Sequence, residues 1–371
     1  VKFPGTYRIV LWLLALVFLV ALFSCAAGSN DGAADSARAA RPGPAGDAAS
    51  PFILLLAGTD AHDSAAPVND FFMDQALRQA LDSIPAARYL TLNYRDSIAS
   101  LYRADGKEGV PVEELAARLD LDGVIYTQVA RFGSVLAVDL RIIDPETRGL
   151  LFRDIVFSLI RYRDTSGTMF LGPTLYDCVR KAVGRYFHVP HTSAQPVATV
   201  PVVVAGVVIP NDAGLGQIEV LRQTLATESV KALGEYARLH FPELIAFDYA
   251  SRNQVYRLIN VAAVDDYAPM NAAERQALYG VGIDRCLTGS AMHDGDSVRL
   301  RLELRMLLSV SRDSLIDVAQ TAYPKSYFET TKAEEDFVVA MIDLAEPLFK
   351  REAERIRSVY AGTVAGRPPG R

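Results

Sequence analysis

From Leu121 to Ile142, and again from Ile283 to Leu304, the chain runs without a gap through one hydrophobic pattern. Leu136, Val138, Leu140 and Ile142 fall on Val298, Leu300, Leu302 and Leu304. Apolar residues at every second position turn one face of each strand toward a core. Phe132-Gly133-Ser134 and Asp294-Gly295-Asp296 interrupt the pattern at matching places and predict two glycine-centred hairpins. Asp122 falls on Asp284 in the same register.

The correspondence extends upstream with small gaps. Phe52 to Gly58 and Val202 to Gly206 are short apolar runs that predict a first strand. A helical stripe follows, through Met73, Leu77, Leu81 and Ile84 in one copy and Ile218, Leu221, Leu225, Leu233 and Ala237 in the other. A second strand is expected at Tyr89–Leu92 and at Leu244–Phe247. It leads to a helix that aligns Ser100-Leu-Tyr-Arg103 with Gln254-Val-Tyr-Arg257. Pro111–Leu119 opens with proline, which the first helical turn tolerates. Its counterpart Asn271–Leu278 has a capping asparagine with Glu274 three residues on. After the hairpin, Asp144-Pro-Glu-Thr-Arg-Gly149 turns into a last strand, Leu150–Leu159. Closing helices are expected at 174–187 and from Ala333 to about Arg355.

This order predicts an α+β (mixed α/β) fold in two similar domains. Each is a mixed sheet in a β-α-β-α-α-β-β-β-α order, covered by helices. The first domain is set at 51–190 and the second at 201–357, with a linker at 191–200 inside the polar, proline-containing stretch His188–Pro201. The tail 358–371 is expected to stay unfolded.

The amino end changes the picture. Lys2 and Arg8 precede an apolar run from Ile9 to Phe23, and small residues surround Cys25. This is the order of a signal peptide, assigned to 1–24. Leu22-Phe-Ser-Cys25 resembles a lipobox, which implies cleavage before Cys25 and acylation of its thiol. The alternative is an uncleaved anchor, but the run falls short of the roughly 20 residues that span a bilayer. No basic stop-transfer cluster follows, the next charge being Asp31. Residues 25–50 then form a tether rich in Ala, Gly, Ser and Pro, with too little apolar surface to offset the entropy of ordering. Ala26 is not the aspartate that retains some lipoproteins at the inner membrane. The reading therefore places the body on the periplasmic side of a bacterial envelope and favours the outer membrane.

Composition fits a packed globular body, with 50% hydrophobic residues and a formal net charge of −6. The absence of a basic excess argues against nucleic acid as a partner. Cys178 lies in a helical pattern and Cys286 at the start of a strand. Buried free thiols are expected at both, with a bridge between them as the alternative.

With these motifs in hand, each copy resembles the small amino-terminal domain of the TolB family. A related arrangement occurs in CsgG and in lipoprotein activators of penicillin-binding proteins. The resemblance rests on the first strand, the Tyr-Arg helix, the passage Ala116 to Ile125 and the turn Asp144 to Gly149. The family's glycine after the aspartate-led strand is Gly289 in the second copy, but Thr127-Gln128 stands there in the first. The second copy has Ser309-Val-Ser-Arg-Asp-Ser in place of the Asp-Pro-Glu-Thr turn. Fold likeness alone transmits no function.

Candidate chemistry is sparse. Asp60, His62 and Asp63 follow the first strand, where open sheets often bind ligands. The corresponding loop Ile209-Pro-Asn-Asp-Ala has no histidine, so a solvated loop is the preferred reading. His293-Asp-Gly-Asp296 reads as a hairpin tip, His188 and His191 as junction residues, and His240 as a helix end. Phosphate-loop and Gly-x-Ser-x-Gly signatures are missing, and Glu113-Glu114 and Glu334-Glu335-Asp336 suit helix starts. The sequence thus points to no catalytic residue, metal or cofactor, and to Cys25 as the one modified position. The leading reading is a non-catalytic envelope lipoprotein, held by membrane lipid through acylated Cys25 and binding an envelope protein or the cell wall as an accessory or assembly factor. One alternative is an oligomeric component of an outer-membrane secretion apparatus. Another is an envelope hydrolase, which needs Asp60, His62 and Asp63 to converge with distant carboxylates. The pattern leaves the oligomeric state open.

Overall fold

The computed structural model describes residues 50–62, 65, 68–104, 110–160, 170–192, 194–258, 261 and 264–366. The expected signal peptide, Cys25, the tether before residue 50, and Asp63 lie outside the described residues.

The first unit runs β1 (Phe52–Ala61), α1 (Asp70–Leu81), β2 (Ala87–Leu90), α2 (Leu92–Ala104), α3 (Val112–Arg118), β3 (Gly123–Phe132), β4 (Val135–Ile143), β5 (Leu150–Leu159) and α4 (Gly172–Tyr186). The second runs β6 (Val200–Val208), α5 (Gln217–Val220), α6 (Arg222–His240), β7 (Leu244–Ala246), α7 (Tyr249–Leu258), α8 (Ala272–Gly280), β8 (Arg285–Asp294), β9 (Ser297–Ser309), β10 (Arg312–Pro324) and α9 (Ala333–Gly366). The two five-stranded sheets share one order, β2-β1-β3-β4-β5 and β7-β6-β8-β9-β10. In each, the first strand pairs parallel with its two neighbours, and the last three strands are antiparallel. The α+β fold with two similar sheet-and-helix units is therefore as the pattern indicates.

The period-two apolar positions do what their spacing requires. Leu136, Val138, Leu140 and Ile142 of β4 are fully buried against α1 and α4, with Met73, Leu77, Val179 and Ala182 opposite. Val298, Leu300, Leu302 and Leu304 of β9 face α6 and α9 in the same way, against Leu225, Leu233, Phe337 and Met341. Each fully buried aliphatic side chain of this kind contributes about 1.5–3 kcal/mol. Gly133 and Gly295 adopt φ of 54° and 61°, the left-handed backbone that both hairpin turns demand. Asp144 Oδ1 accepts from the backbone N–H of Glu146 and Thr147, which explains the Asp-Pro-Glu-Thr turn. The capping box expected at Asn271 and Glu274 is present in both directions.

Two expectations need correction. The tail does not unravel at residue 358, because α9 continues to Gly366. Tyr360 explains this: its hydroxyl donates to the Gly184 and Val189 carbonyls at the end of α4, which fixes an extra turn. Residues 367–371 lie outside the described residues. The second correction is the register of the Tyr-Arg helix. The structural counterparts are Arg95 and Arg252, not Arg103 and Arg257, because Arg95 and Arg252 make the same contacts to the first strand.

The sheets meet through a third core. Phe132, Val135, Ala137, Phe157 and Leu159, on the outer face of the first sheet, pack with Ile245, Phe247, Val255 and Tyr256 of the second unit. The junction residues join in, since Val197 is 1% exposed and Arg185 donates to the Val197 and Thr199 carbonyls. The latter part of the linker, Pro196–Thr199, thus lies against the body.

Candidate functional site

Among the described residues, those singled out in the sequence do not converge. Asp60 and His62 are both exposed at the end of β1, and the Asp60 carboxylate accepts from the Gln128 amide at 3.3 Å. Asp63 lies outside the described residues, and among those described no cluster of metal-ligating side chains forms. His293 bonds the Gly295 carbonyl at 2.7 Å in its own hairpin, while Arg299 neutralises Asp294. His240 stacks on Tyr236 at the end of α6, with ring centroids 4.4 Å apart.

Cys178 and Cys286 are free, fully buried and assigned to different cores. Burial pushes both thiols up to about 12, so neither is a thiolate at neutral pH. Neither is therefore expected to label with a maleimide in the native protein, whereas both label after unfolding. Mass spectrometry of the labelled chain checks this, and rapid native labelling at either position would contradict the burial.

One buried cluster has the composition of a nucleophile site. Lys181, 3% exposed, lies 2.7 Å from Asp177 and donates to Ser158 Oγ at 3.3 Å. Burial pulls the ammonium below its ordinary value, while Asp177 acts in the opposite sense. Ser158, however, donates its own proton to Asp177, is itself 5% exposed and faces α4. Its hydroxyl is committed to the carboxylate, and the cluster ties β5 to α4.

The sites that sequence reasoning missed are paired devices at the bulge in each first strand. β1 shifts register between Leu56 and Gly58, and β6 between Val204 and Gly206. Each bulge turns two carbonyls out of the ladder, and a guanidinium collects them. Arg95 Nη1 donates to the Leu56 and Ala57 carbonyls at 3.1 and 2.7 Å. Arg252 Nη1 donates to those of Val204 and Ala205 at 3.2 and 3.1 Å. In each the Nε–H is held by the next residue, Asp96 or Asn253. The readable signal is Arg followed by Asp or Asn in the first turn after the second strand: Tyr94-Arg-Asp and Ser251-Arg-Asn.

A polar contact aligns the units. Ser134 N–H donates to Ser251 Oγ at 3.0 Å, and Ser134 Oγ donates to Asp248 at 2.5 Å. A Cβ at Gly133 would lie 2.6 Å from Ser251 Oγ, so glycine also permits the close approach. In the linker, His191 Nδ1 accepts from the N–H groups of Val197 and Ala198 at 3.2 and 3.3 Å. Its Nε2 faces Glu243 at 3.8 Å, and Glu243 also meets Arg357 of α9 at 3.2 Å. Burial holds the ring below its ordinary value, outweighing the opposing pull of Glu243, and Arg357 and Arg180 act in the same downward direction. The contact therefore contributes stability above the unfolded-state value near 6.5, and loses it as pH falls through the lower folded-state value. His191→Gln keeps an acceptor but does not titrate. Between about pH 7.5 and about pH 5 its melting temperature is expected to fall less than that of the native chain. Parallel falls in the two would remove His191 from the pH response.

The outer faces of the two sheets differ. At the places of Phe132, Val135 and Ala137 the second unit has Asp294, Ser297 and Arg299, followed by an ion-pair ladder of Arg301, Glu303, Arg305 and Asp313. On the opposite side of that unit, α6, α9 and the start of α7 enclose an open groove of about 830 Å³ with an acidic rim. Among the described residues no helix is long and apolar enough to cross a membrane.

Fold and site together define a tandem of two like α+β units welded face to face. No family model matches the chain, and no curated protein matches it. Among solved structures it is similar to the lipoprotein GNA1162 from Neisseria meningitidis, at 17% identity and a TM-score of 0.23, over 29% of this chain and 81% of that one. The LpoB C-terminal domain from Salmonella enterica matches at 14% identity and a TM-score of 0.23, over 29% and 82%. A variant PelC dodecamer from Paraburkholderia phytofirmans matches at 12% identity and a TM-score of 0.23, over 36% and 86%. At these scores the likenesses carry no argument about this chain's activity.

Proposed function

We propose that the chain is a non-catalytic lipoprotein of the bacterial envelope, a protein-binding accessory or assembly factor held to membrane lipid through Cys25. The carrying observation is the third core. It fuses two units into one body, preceded in the sequence by the Ala-, Gly-, Ser- and Pro-rich stretch 25–50. The Leu22-Phe-Ser-Cys25 sequence supports the anchor, and the signal order before it supports export to the periplasmic side, with Ala26 favouring the outer membrane. A head-to-tail array that repeats the inter-unit contact from chain to chain is disfavoured. The surface that would continue it carries Asp294, Ser297 and Arg299, where the buried contact has Phe132, Val135 and Ala137.

Metabolic labelling with a fatty acid tests the anchor. Wild type is expected to incorporate label and Cys25→Ala to incorporate none. Equal labelling of the two, or a mature chain that keeps residues 1–24, overturns it. Crosslinked affinity purification from the native envelope, with partners identified by mass, tests the accessory role. Recovery of one stoichiometric envelope protein supports that role, and recovery of none counts against it.

A further inference from the structure

The open groove of the second unit is built unlike the rest of its surface. Helices α6 and α9 pack side by side, and Phe241 at the end of α6 lies against Phe349 of α9, 5.8 Å between ring centroids. Toward the start of α9 the groove lies between these two helices and the segment Asp248–Ala250. Its floor is apolar: Ala232 on α6, Val338 and Val339 on α9, and the Tyr249 ring. Val339 is 50% exposed, although Phe337 and Met341 two residues to either side are in the core.

The rim is acidic. Glu228 and Glu235 stand on α6, Asp248 precedes α7, and Glu334 and Glu335 open α9. Against these five carboxylates stand Lys231, paired to Glu228 at 2.6 Å, and Arg238, which reaches Glu235 at 2.5 Å and Asp248 at 3.8 Å. Among the described residues Glu334 has no ion-pair partner, and Glu335 meets only Lys332, at 3.7 Å with both side chains mostly exposed. An apolar floor with surplus negative charge along its borders complements a helix that is apolar on one face and cationic at the edges of that face. The volume matches roughly two turns of a helix about 10 Å across.

We propose that this groove docks a lysine- or arginine-rich amphipathic helix of a protein partner. Apolar side chains at i, i+3 and i+4 cover Val338, Val339 and Ala232, and flanking cations meet Glu228, Glu334 and Glu335. This deepens the accessory reading above and rests on it. The acid at the start of α9 then serves twice, toward its own helix amides and toward the partner.

The test uses the full lipidated chain in a non-ionic detergent and two fluorescein-labelled peptides of about 14 residues, near four helical turns. One is built of leucine and lysine with its leucines on one face, and the other has glutamate for every lysine. Anisotropy is expected to report saturable binding of the lysine peptide, weakened by salt, and none of the glutamate peptide. The variant Glu228→Gln/Glu334→Gln/Glu335→Gln is expected to bind at least about tenfold more weakly. A variant with the same change of charge elsewhere, Glu146→Gln/Asp294→Asn/Asp296→Asn, is expected to stay within about twofold of wild type. Glu228 is half-buried and the other substituted positions are exposed, and Val339→Lys supplies an independent block of the floor. Equal losses in the groove and control variants, or unchanged binding in the groove variant and Val339→Lys, overturn the proposal. A chain that carries lipid at Cys25 yet ignores the lysine peptide loses the groove alone. One that binds the peptide in the groove but carries no lipid loses the anchor alone.

Discussion

Arg252→Met is expected to destabilise the second unit by about 3–5 kcal/mol, measured by urea unfolding. The guanidinium is 1% exposed, donates to the Val204 and Ala205 carbonyls and pairs with Asp266 at 2.6 Å. Methionine fills much of the same space but leaves two carbonyls without a donor and a carboxylate, 3% exposed, without its cation. Asp266 would retain only the hydroxyls of Thr227 and Tyr249. Arg252→Met/Asp266→Asn is therefore expected to recover part of the loss, because the orphaned charge is then removed. Arg95→Met makes the informative comparison. Its side chain is 14% exposed and its nearest carboxylate on α1, Asp70, stands at 3.8 Å, so water can replace part of what is lost. The expected cost there is about 1–2 kcal/mol. Equal effects at the two arginines would mean that burial of the second pair does not set its contribution.

The second large effect concerns the weld between units. Val135→Ser/Ala137→Arg writes into the first unit the residues that the second has at Ser297 and Arg299. Val135 is wholly buried and Ala137 6% exposed, both inside the inter-unit core. A guanidinium there meets Phe157, Phe247 and Tyr256 rather than an acid, at a cost on the order of 3–5 kcal/mol. The units are expected to separate while each keeps its own core. Small-angle scattering would then show a larger radius, and a broad-specificity protease would cut near residues 191–200. A scattering curve that superimposes on wild type would show that the weld does not depend on this face.

How much of this was legible follows from what a period can carry. The hairpins were readable because one face of each is buried and the apolar positions alternate. The same stretch also held the signal for the weld. Val135-Leu-Ala-Val is continuous apolar sequence, as expected of a strand covered on both faces, whereas Ser297-Val-Arg-Leu-Arg-Leu-Glu-Leu alternates strictly, as expected of one open to water. Alignment by the shared face alone treated the two as equals and lost the difference. The helix register slipped for another reason. Tyr102-Arg103 and Tyr256-Arg257 match as letters, but helix position is set by contact with the bulge, which has no periodicity to read. The acidic rim of the groove assembles from three separated segments, and only Glu334 and Glu335 stand in the first turn of a helix, so no single stretch of sequence shows the rim.

The bond from Tyr360 back to Gly184 and Val189 spans nearly half the chain and comes from its last helix. The closing helix of the second unit is thereby tied to the end of α4, a second attachment between the units that is remote in sequence from their shared apolar core. Loss of the Tyr360 hydroxyl would release that tie at the junction while the apolar core still holds the two units together.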